Sequence, residues 1–142
     1  MTGSLRMLVV EDNPPELRLF QEVVRQAEIR CTLMIATNGE QALEAASGKG
    51  IYSGSPRPNL ILLDYNMPGM DGGEVLRALK DDAYTRSIPV IMFSSSRSQA
   101  DIHRAYDLHA NCDIAKPFDL DGMLEVVKSI QNFWTLTAQL PK

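Results

Sequence analysis

The chain is poor in cysteine, in aromatic rings and in long apolar runs, and each shortage removes a class of function. Its two cysteines, Cys31 and Cys112, have neither CxxC spacing nor a histidine cluster nearby. A disulfide framework, a thiol redox motif and a zinc site are therefore unsupported, and both residues read as buried, reduced thiols. The apolar stretches, such as Leu60–Leu63 and Pro89–Phe93, fall far short of the roughly 20 residues that cross a bilayer, so no membrane contact is expected. No basic run exists either: 14 Lys and Arg against 18 Asp and Glu leave a net charge of -4. A nucleic-acid binder gathers cations to neutralise phosphates, so nucleic acid is not an expected partner. The opening residues carry no apolar core and no small-residue cleavage pattern, which places the chain in the cytoplasm as an expectation.

What is present is the material of one domain. A length of 142 residues with 44% hydrophobic and 23% charged residues suits a single core spanning 1–142. Short apolar runs recur at Leu5–Val10, Cys31–Ala36, Leu60–Asp64, Val90–Ser94 and Cys112–Ala115 and read as strands. Between them lie helical patterns. After the turn Glu11-Asp12-Asn13-Pro14-Pro15, Leu17, Phe20, Val23, Val24 and Ala27 recur on one face. Further helices are expected at Asn38–Ser47, Gly72–Asp81, Ser98–Leu108 and Asp119–Trp134, with Gly48–Pro58 a surface loop. Strands that are continuously apolar and each followed by a helix imply a parallel sheet covered on both faces by right-handed crossovers. The fold class is α/β, doubly wound, with five strands and five helices.

In such a sheet ligands collect beyond the carboxyl ends of the strands. The informative polar residues fall there: Glu11 and Asp12 after the first strand, Asp64 at the end of the third, Ser94 at the end of the fourth, Lys116 past the fifth. Crowded carboxylates repel one another and either rise in pKa or take a cation. Magnesium suits a few hard oxygen ligands. A carboxylate beside such an ion and an ammonium can attack phosphorus, because both cations offset charge on the transferring oxygens. Asp64 is then the nucleophile and Lys116 the counter-charge.

With these residues in view, the chain resembles the receiver domains of two-component response regulators over essentially its whole length. The resemblance rests on Val9-Val10-Glu11-Asp12-Asn13, on Leu62-Leu63-Asp64-Tyr65-Asn66-Met67-Pro68-Gly69-Met70-Asp71-Gly72 and on Lys116-Pro117-Phe118. It implies a flavodoxin-like fold with strand order 2-1-3-4-5, as in the chemotaxis member of the family, and puts Cys31 and Cys112 too far apart to bond. It also implies Mg2+ held by Glu11, Asp12, Asp64 and the backbone carbonyl of Asn66, with Asp64 as phosphoacceptor and Ser94 and Lys116 on the phosphoryl oxygens. The donor is a histidine of a sensor kinase, and the altered surface is the fourth helix, fifth strand and fifth helix. Tyr106-Asp107-Leu108-His109-Ala110-Asn111-Cys112, Pro56-Arg57-Pro58 and Phe133-Trp134 are similar to the subgroup that serves phytochrome-type kinases.

Two positions depart from the family pattern. The aromatic residue usual three places before the lysine is Asp113 here, so the ordinary aromatic switch is missing and signalling is expected to rely on repositioning around Ser94. His109 stands where glycine is common after the fourth helix, a place that often needs a left-handed backbone. His103 and His109 otherwise read as surface and helix-end residues. A C-terminal extension of the last helix, about 131–142, carries Phe133, Trp134 and Leu136 and suggests a homodimer. An aspartyl phosphatase would want a second Asp where Asn66 stands, and a flavodoxin-type cofactor loop would not begin Glu11-Asp12. The remaining alternative is a receiver-like interaction module that acts without phosphorylation. Output is expected by binding an effector protein, by passing the phosphoryl group to a downstream phosphotransfer partner, or by acting as a phosphoryl sink, and the sequence does not choose among these.

Overall fold

The computed structural model describes residues 5–28, 30–94, 98–117 and 119–134, and of Ser94 the backbone only. Five strands form one parallel sheet: β1 (Leu5–Val10), β2 (Cys31–Ala36), β3 (Leu60–Asp64), β4 (Val90–Ser94) and β5 (Cys112–Ala115), in the order β2-β1-β3-β4-β5. The five helices are α1 (Pro14–Gln26), α2 (Gly39–Ser47), α3 (Gly72–Asp81), α4 (Gln99–Asp107) and α5 (Leu120–Asn132). Both the fold class and the strand order are those expected.

Alternate residues of each strand feed opposite faces, as the two-residue period of a strand requires. Leu8, Val10, Ile61, Leu63, Val90 and Met92 pack against Ala42, Ala45, Val75, Leu76, Leu79 and Ala105 of α2, α3 and α4. On the other side Met7, Val9, Leu60, Leu62, Ile91 and Phe93 meet Phe20 and Val23 of α1 and Met123, Val127 and Ile130 of α5. Every residue of β3 is buried, which is why that segment is apolar at each position before Asp64. Burying a side chain such as Leu62 contributes about 1.5–3 kcal/mol.

The helices begin one residue later than the periodicity suggests at three places, because Asn38, Ser98 and Asp119 are N-caps. Their side chains accept from the backbone N–H of Gln41, Asp101 and Gly122 and stay outside the helix. Asp71 and Glu74 close a reciprocal capping box on α3. At the end of α4, His109 has φ of 71°, the left-handed backbone expected of it. The His109 and Ala110 N–H groups donate to Tyr106 and Ala105 carbonyls at 2.9 and 3.0 Å, the pairing of a Schellman motif.

The loop Gly48–Pro58 is less irregular than its composition suggests. It contains a 3-10 turn at Gly50–Tyr52, and the Tyr52 hydroxyl donates to the Ile35 carbonyl at 2.7 Å, stapling the loop to β2. At the other end of the chain α5 is regular to Asn132 and continues as a wider helical turn through Phe133 and Trp134, the end expected, and those two rings meet edge to face at 5.1 Å. The rest of the expected extension, with Leu136, lies outside the described residues. Cys31 and Cys112 sit on the opposite edge strands as free thiols, only partly buried rather than buried as expected because an edge strand is covered less fully than a central one. No helix among the described residues is long and apolar enough to cross a membrane.

Candidate functional site

Parallel strands deliver the residues that follow them to one edge of the sheet, and three of those residues are buried charges. Glu11, Asp64 and Lys116 are 6%, 5% and 7% exposed, so each must find its compensation inside the protein. The Lys116 ammonium supplies it. Its Nζ donates to Glu11 Oε1 at 2.8 Å and to Glu16 Oε2 at 3.0 Å, and lies 3.4 Å from Asp64 Oδ1 and 6.0 Å from the centre of the Phe93 ring. Oxygens of Glu11, Glu16 and Asp64 all lie within 4.8 Å of one another. Below them, lined by Phe20, Phe93 and Met123 among others, is a cavity of about 10 Å³, room for about one water molecule.

One ammonium does not balance this pocket. Burial, opposed by the hydrogen bond from Lys116 and assisted by the charge of Asp64, pushes Glu11 up to about 8 from an ordinary 4.5. Burial also raises Asp64 above its ordinary value, against the attraction of Lys116. For Lys116 burial works downward, but the hydrogen bonds to Glu11 and Glu16 and the charge of Asp64 prevail and hold it above the ordinary lysine value. Both carboxyls are thus shifted toward the protonated form, a shift that a second cation would oppose. Glu11, Glu16 and Asp64 bring only oxygen atoms together, the donor type that hard divalent ions take, with Glu16 held by the Lys116 ammonium at 3.0 Å.

The loop after β3 is held from both sides. The Asn66 N–H donates to Asp64 Oδ1 at 3.3 Å, and the Gly72 N–H to the Tyr65 carbonyl at 2.9 Å. A Cβ on Gly72 would lie 2.5 Å from the Asp64 carbonyl oxygen and 2.6 Å from Tyr65 Cα, so only glycine lets α3 start this close to the strand. From α4, Arg104 Nη1 donates to the Tyr65 hydroxyl at 2.7 Å and lies 3.7 Å from Asp71 Oδ2. Tyr65 is 6% exposed, and this bond satisfies its only polar atom.

Of the residues singled out from sequence, Glu11, Asp64 and Lys116 converge. Asp12 follows Glu11, half-buried, outside the group of three clustered carboxylates. Ser94 ends β4 with its Cα opposite Ala115, one residue before Lys116, and its side chain lies outside the described part. Asp113 is half-buried on β5, and its N–H donates to the Tyr106 hydroxyl at 3.2 Å. The hydroxyl of Tyr106, at the end of α4, thus contacts the backbone at the position where the family usually carries an aromatic side chain.

The model of the response regulator receiver domain matches residues 7–128. The chain belongs to the receiver domain family. This receiver is 39% identical over 135 residues to the response regulator Rcp1 of Synechocystis sp., across 95% of this chain and 92% of that one. The crystal structure of the phosphorylated cyanobacterial phytochrome response regulator RcpA aligns with a TM-score of 0.90 at 38% identity, covering 99% of this chain and 100% of that chain. The Mn2+-bound form of Rcp1 aligns with a TM-score of 0.86 at 38% identity, over 97% and 99% of the two chains. The likeness to phytochrome-associated receivers read from sequence is therefore shown, and the family is one of signalling domains.

Two parts of the receiver site escaped the sequence reading. Glu16 stands in the first turn of α1, where an acid is ordinarily explained by capping or by the helix dipole. Arg104 looks like one more solvated cation of an amphipathic helix. Only its distance from Tyr65 gives it a role, and no spacing in the sequence encodes that distance.

Proposed function

We propose that this receiver accepts a phosphoryl group on Asp64 from a phosphohistidine of a sensor histidine kinase of phytochrome type, and that the modification changes its protein-binding surface. The observation that carries the reading is a buried carboxylate at a strand end with an ammonium 3.4 Å from its oxygen. In the transfer, an Asp64 oxygen bonds to phosphorus as the donor N–P bond breaks, and the histidine nitrogen keeps the electron pair. Lys116 offsets charge on the phosphoryl oxygens, and Ser94 contributes its hydroxyl to them. Mg2+, held on this reading by Glu11, Asp12, Asp64 and the Asn66 carbonyl, supplies further charge neutralisation when bound. The fit rests on two buried strand-end carboxylates, Glu11 and Asp64, whose oxygens lie within 4.8 Å of each other and whose carboxyls are both shifted upward, a shift that a cation would oppose. One similar structure is of a phosphorylated phytochrome response regulator and another holds Mn2+, which supports the reading.

We propose further that 1–142 acts as a single cytoplasmic receiver domain and that its output is a protein contact through α4, β5 and α5. Tyr106, Leu120 and Phe133 are 48%, 38% and 51% exposed there, a face suited to a homodimer and to a downstream effector or phosphotransfer protein. The competing reading, an interaction module that works without phosphorylation, draws on Asp113 at the usual aromatic position. The deciding experiment is the mass of the protein after incubation with acetyl phosphate and Mg2+. Gain of about one phosphoryl group, absent from Asp64→Ala and without Mg2+, supports the phosphoacceptor. No gain while a control receiver is labelled refutes it and favours the constitutive module.

A further inference from the structure

Glu16 has no part in the site as the sequence presents it, yet it makes one of the two hydrogen bonds that hold Lys116. Its place in α1 explains why it is available. A glutamate at the third helical position after an N-cap commonly reaches back to the N-cap backbone N–H. Here the Asn13 N–H is already taken by Glu11 Oε2 at 3.1 Å, while Asn13 Oδ1 accepts from the Glu16 backbone N–H at 3.0 Å. Pro14 and Pro15 fix φ through the first turn. The Glu16 side chain is thus released from capping and mounted on a stiff base facing Lys116.

Lysine is a point charge on a flexible stem, with three N–H donors in fixed mutual directions. Fixing two of them fixes the third. Glu11 and Glu16 each hold one, and Asp64 Oδ1 lies 3.4 Å from the same nitrogen. We propose that Glu16 is a positioning residue for Lys116, anchoring the ammonium from α1 so that its free donor is aimed at Asp64 and at a group carried there. This rests on the reading of Asp64 as phosphoacceptor. The two anchors differ in exposure: the Glu11 side chain is 7% exposed and that of Glu16 38%. Glu11, deep at the strand end, is also claimed by the metal on that reading, which leaves Glu16 as the anchor that stays with the lysine.

The test compares Glu16→Gln, which keeps an acceptor oxygen, with Glu16→Ala, which removes it. The rate of Asp64 labelling by acetyl phosphate with Mg2+ should fall about tenfold in Glu16→Ala, as misplaced catalytic geometry does, and stay within about twofold of wild type in Glu16→Gln. A second readout is the Lys116 ammonium in metal-free protein, followed by 15N NMR. It should be protected from exchange in wild type and Glu16→Gln and lost to solvent in Glu16→Ala; Glu16→Ser repeats the test should the alanine variant fold poorly. Equal acceleration of both variants would show Glu16 to be a competitor for the lysine, and unchanged rates in both would show it to be a bystander; either overturns the proposal. If wild type takes no phosphoryl group, the phosphoacceptor reading fails by itself, and the ammonium signal alone decides the role of Glu16.

Discussion

Raising the pH should loosen the metal-free protein through Glu11. Its carboxyl is held up to about 8, against an ordinary 4.5, so between those values the folded chain keeps a proton that the unfolded chain has released. Stability from this source is complete below the unfolded value and is lost as pH rises through the folded one. At about 1.4 kcal/mol per pH unit, the rise from 4.5 to about 8 corresponds to at most about 5 kcal/mol. Asp64 shifts in the same direction and shares the proton, so the pair counts once. Lys116 adds no slope in this window, because a raised lysine is charged there in both the folded and unfolded states. The assay is urea unfolding with a chelator at about pH 5.5 and about pH 8.5, on wild type and on Glu11→Gln, whose amide cannot ionise. The difference between the two proteins cancels the histidines and the other acids. Wild type should lose several kcal/mol more than the variant over that interval, and Mg2+ at the higher pH should restore about 2.7 kcal/mol at a hundredfold excess over its dissociation constant. Equal losses in the two proteins, or a gain in wild type, would refute the reasoning.

Gly72→Ala should cost about 1–3 kcal/mol by urea unfolding, and slow Asp64 labelling, because the new Cβ meets backbone on both sides. His109→Gly should raise stability by about 0.5–1 kcal/mol in a thermal melt, since glycine takes the left-handed backbone without strain. Tyr65→Phe should cost about 1 kcal/mol and speed amide exchange in α4, whose Arg104 loses its hydroxyl partner; unchanged exchange in α4 would mean that the bond restrains nothing.

Strand boundaries were legible because parallel strands buried on both faces have no polar position to blur them, so Leu60–Asp64 and Val90–Ser94 begin and end where the apolar runs do. Helix starts were legible only to within a residue, since a cap such as Asn38 or Asp119 looks like the first residue of the helix it closes. Convergence of Glu11, Asp64 and Lys116 followed from strand order alone, which carries residues to a shared edge whatever the loops do. What stayed hidden came from helices. Glu16 and Arg104 join the site by the approach of α1 and α4 to the sheet, and that approach depends on side-chain volumes across the whole core. The hydrogen bond from the Asp113 N–H to the Tyr106 hydroxyl was hidden for the same reason.

The lysine tripod has a mechanical consequence. Strand β5 is an edge strand laddered only to β4, yet the residue just beyond it is bonded to the residue just beyond β1, three strand spacings or about 14 Å inward. Lys116 and Glu11, joined head to head, act as a tie-rod between the rim of the sheet and its middle. Whatever loads the pocket changes the tension in that rod, and whatever grips the outer rim pulls on the pocket. Binding free energies are reciprocal, so a partner that prefers one setting of β5 must alter the pocket's affinity for its charge by the same factor that the charge alters the partner's grip. On the proposed function, a receiver built this way would transmit through the bond between Lys116 and Glu11, with no ring turning in a slot.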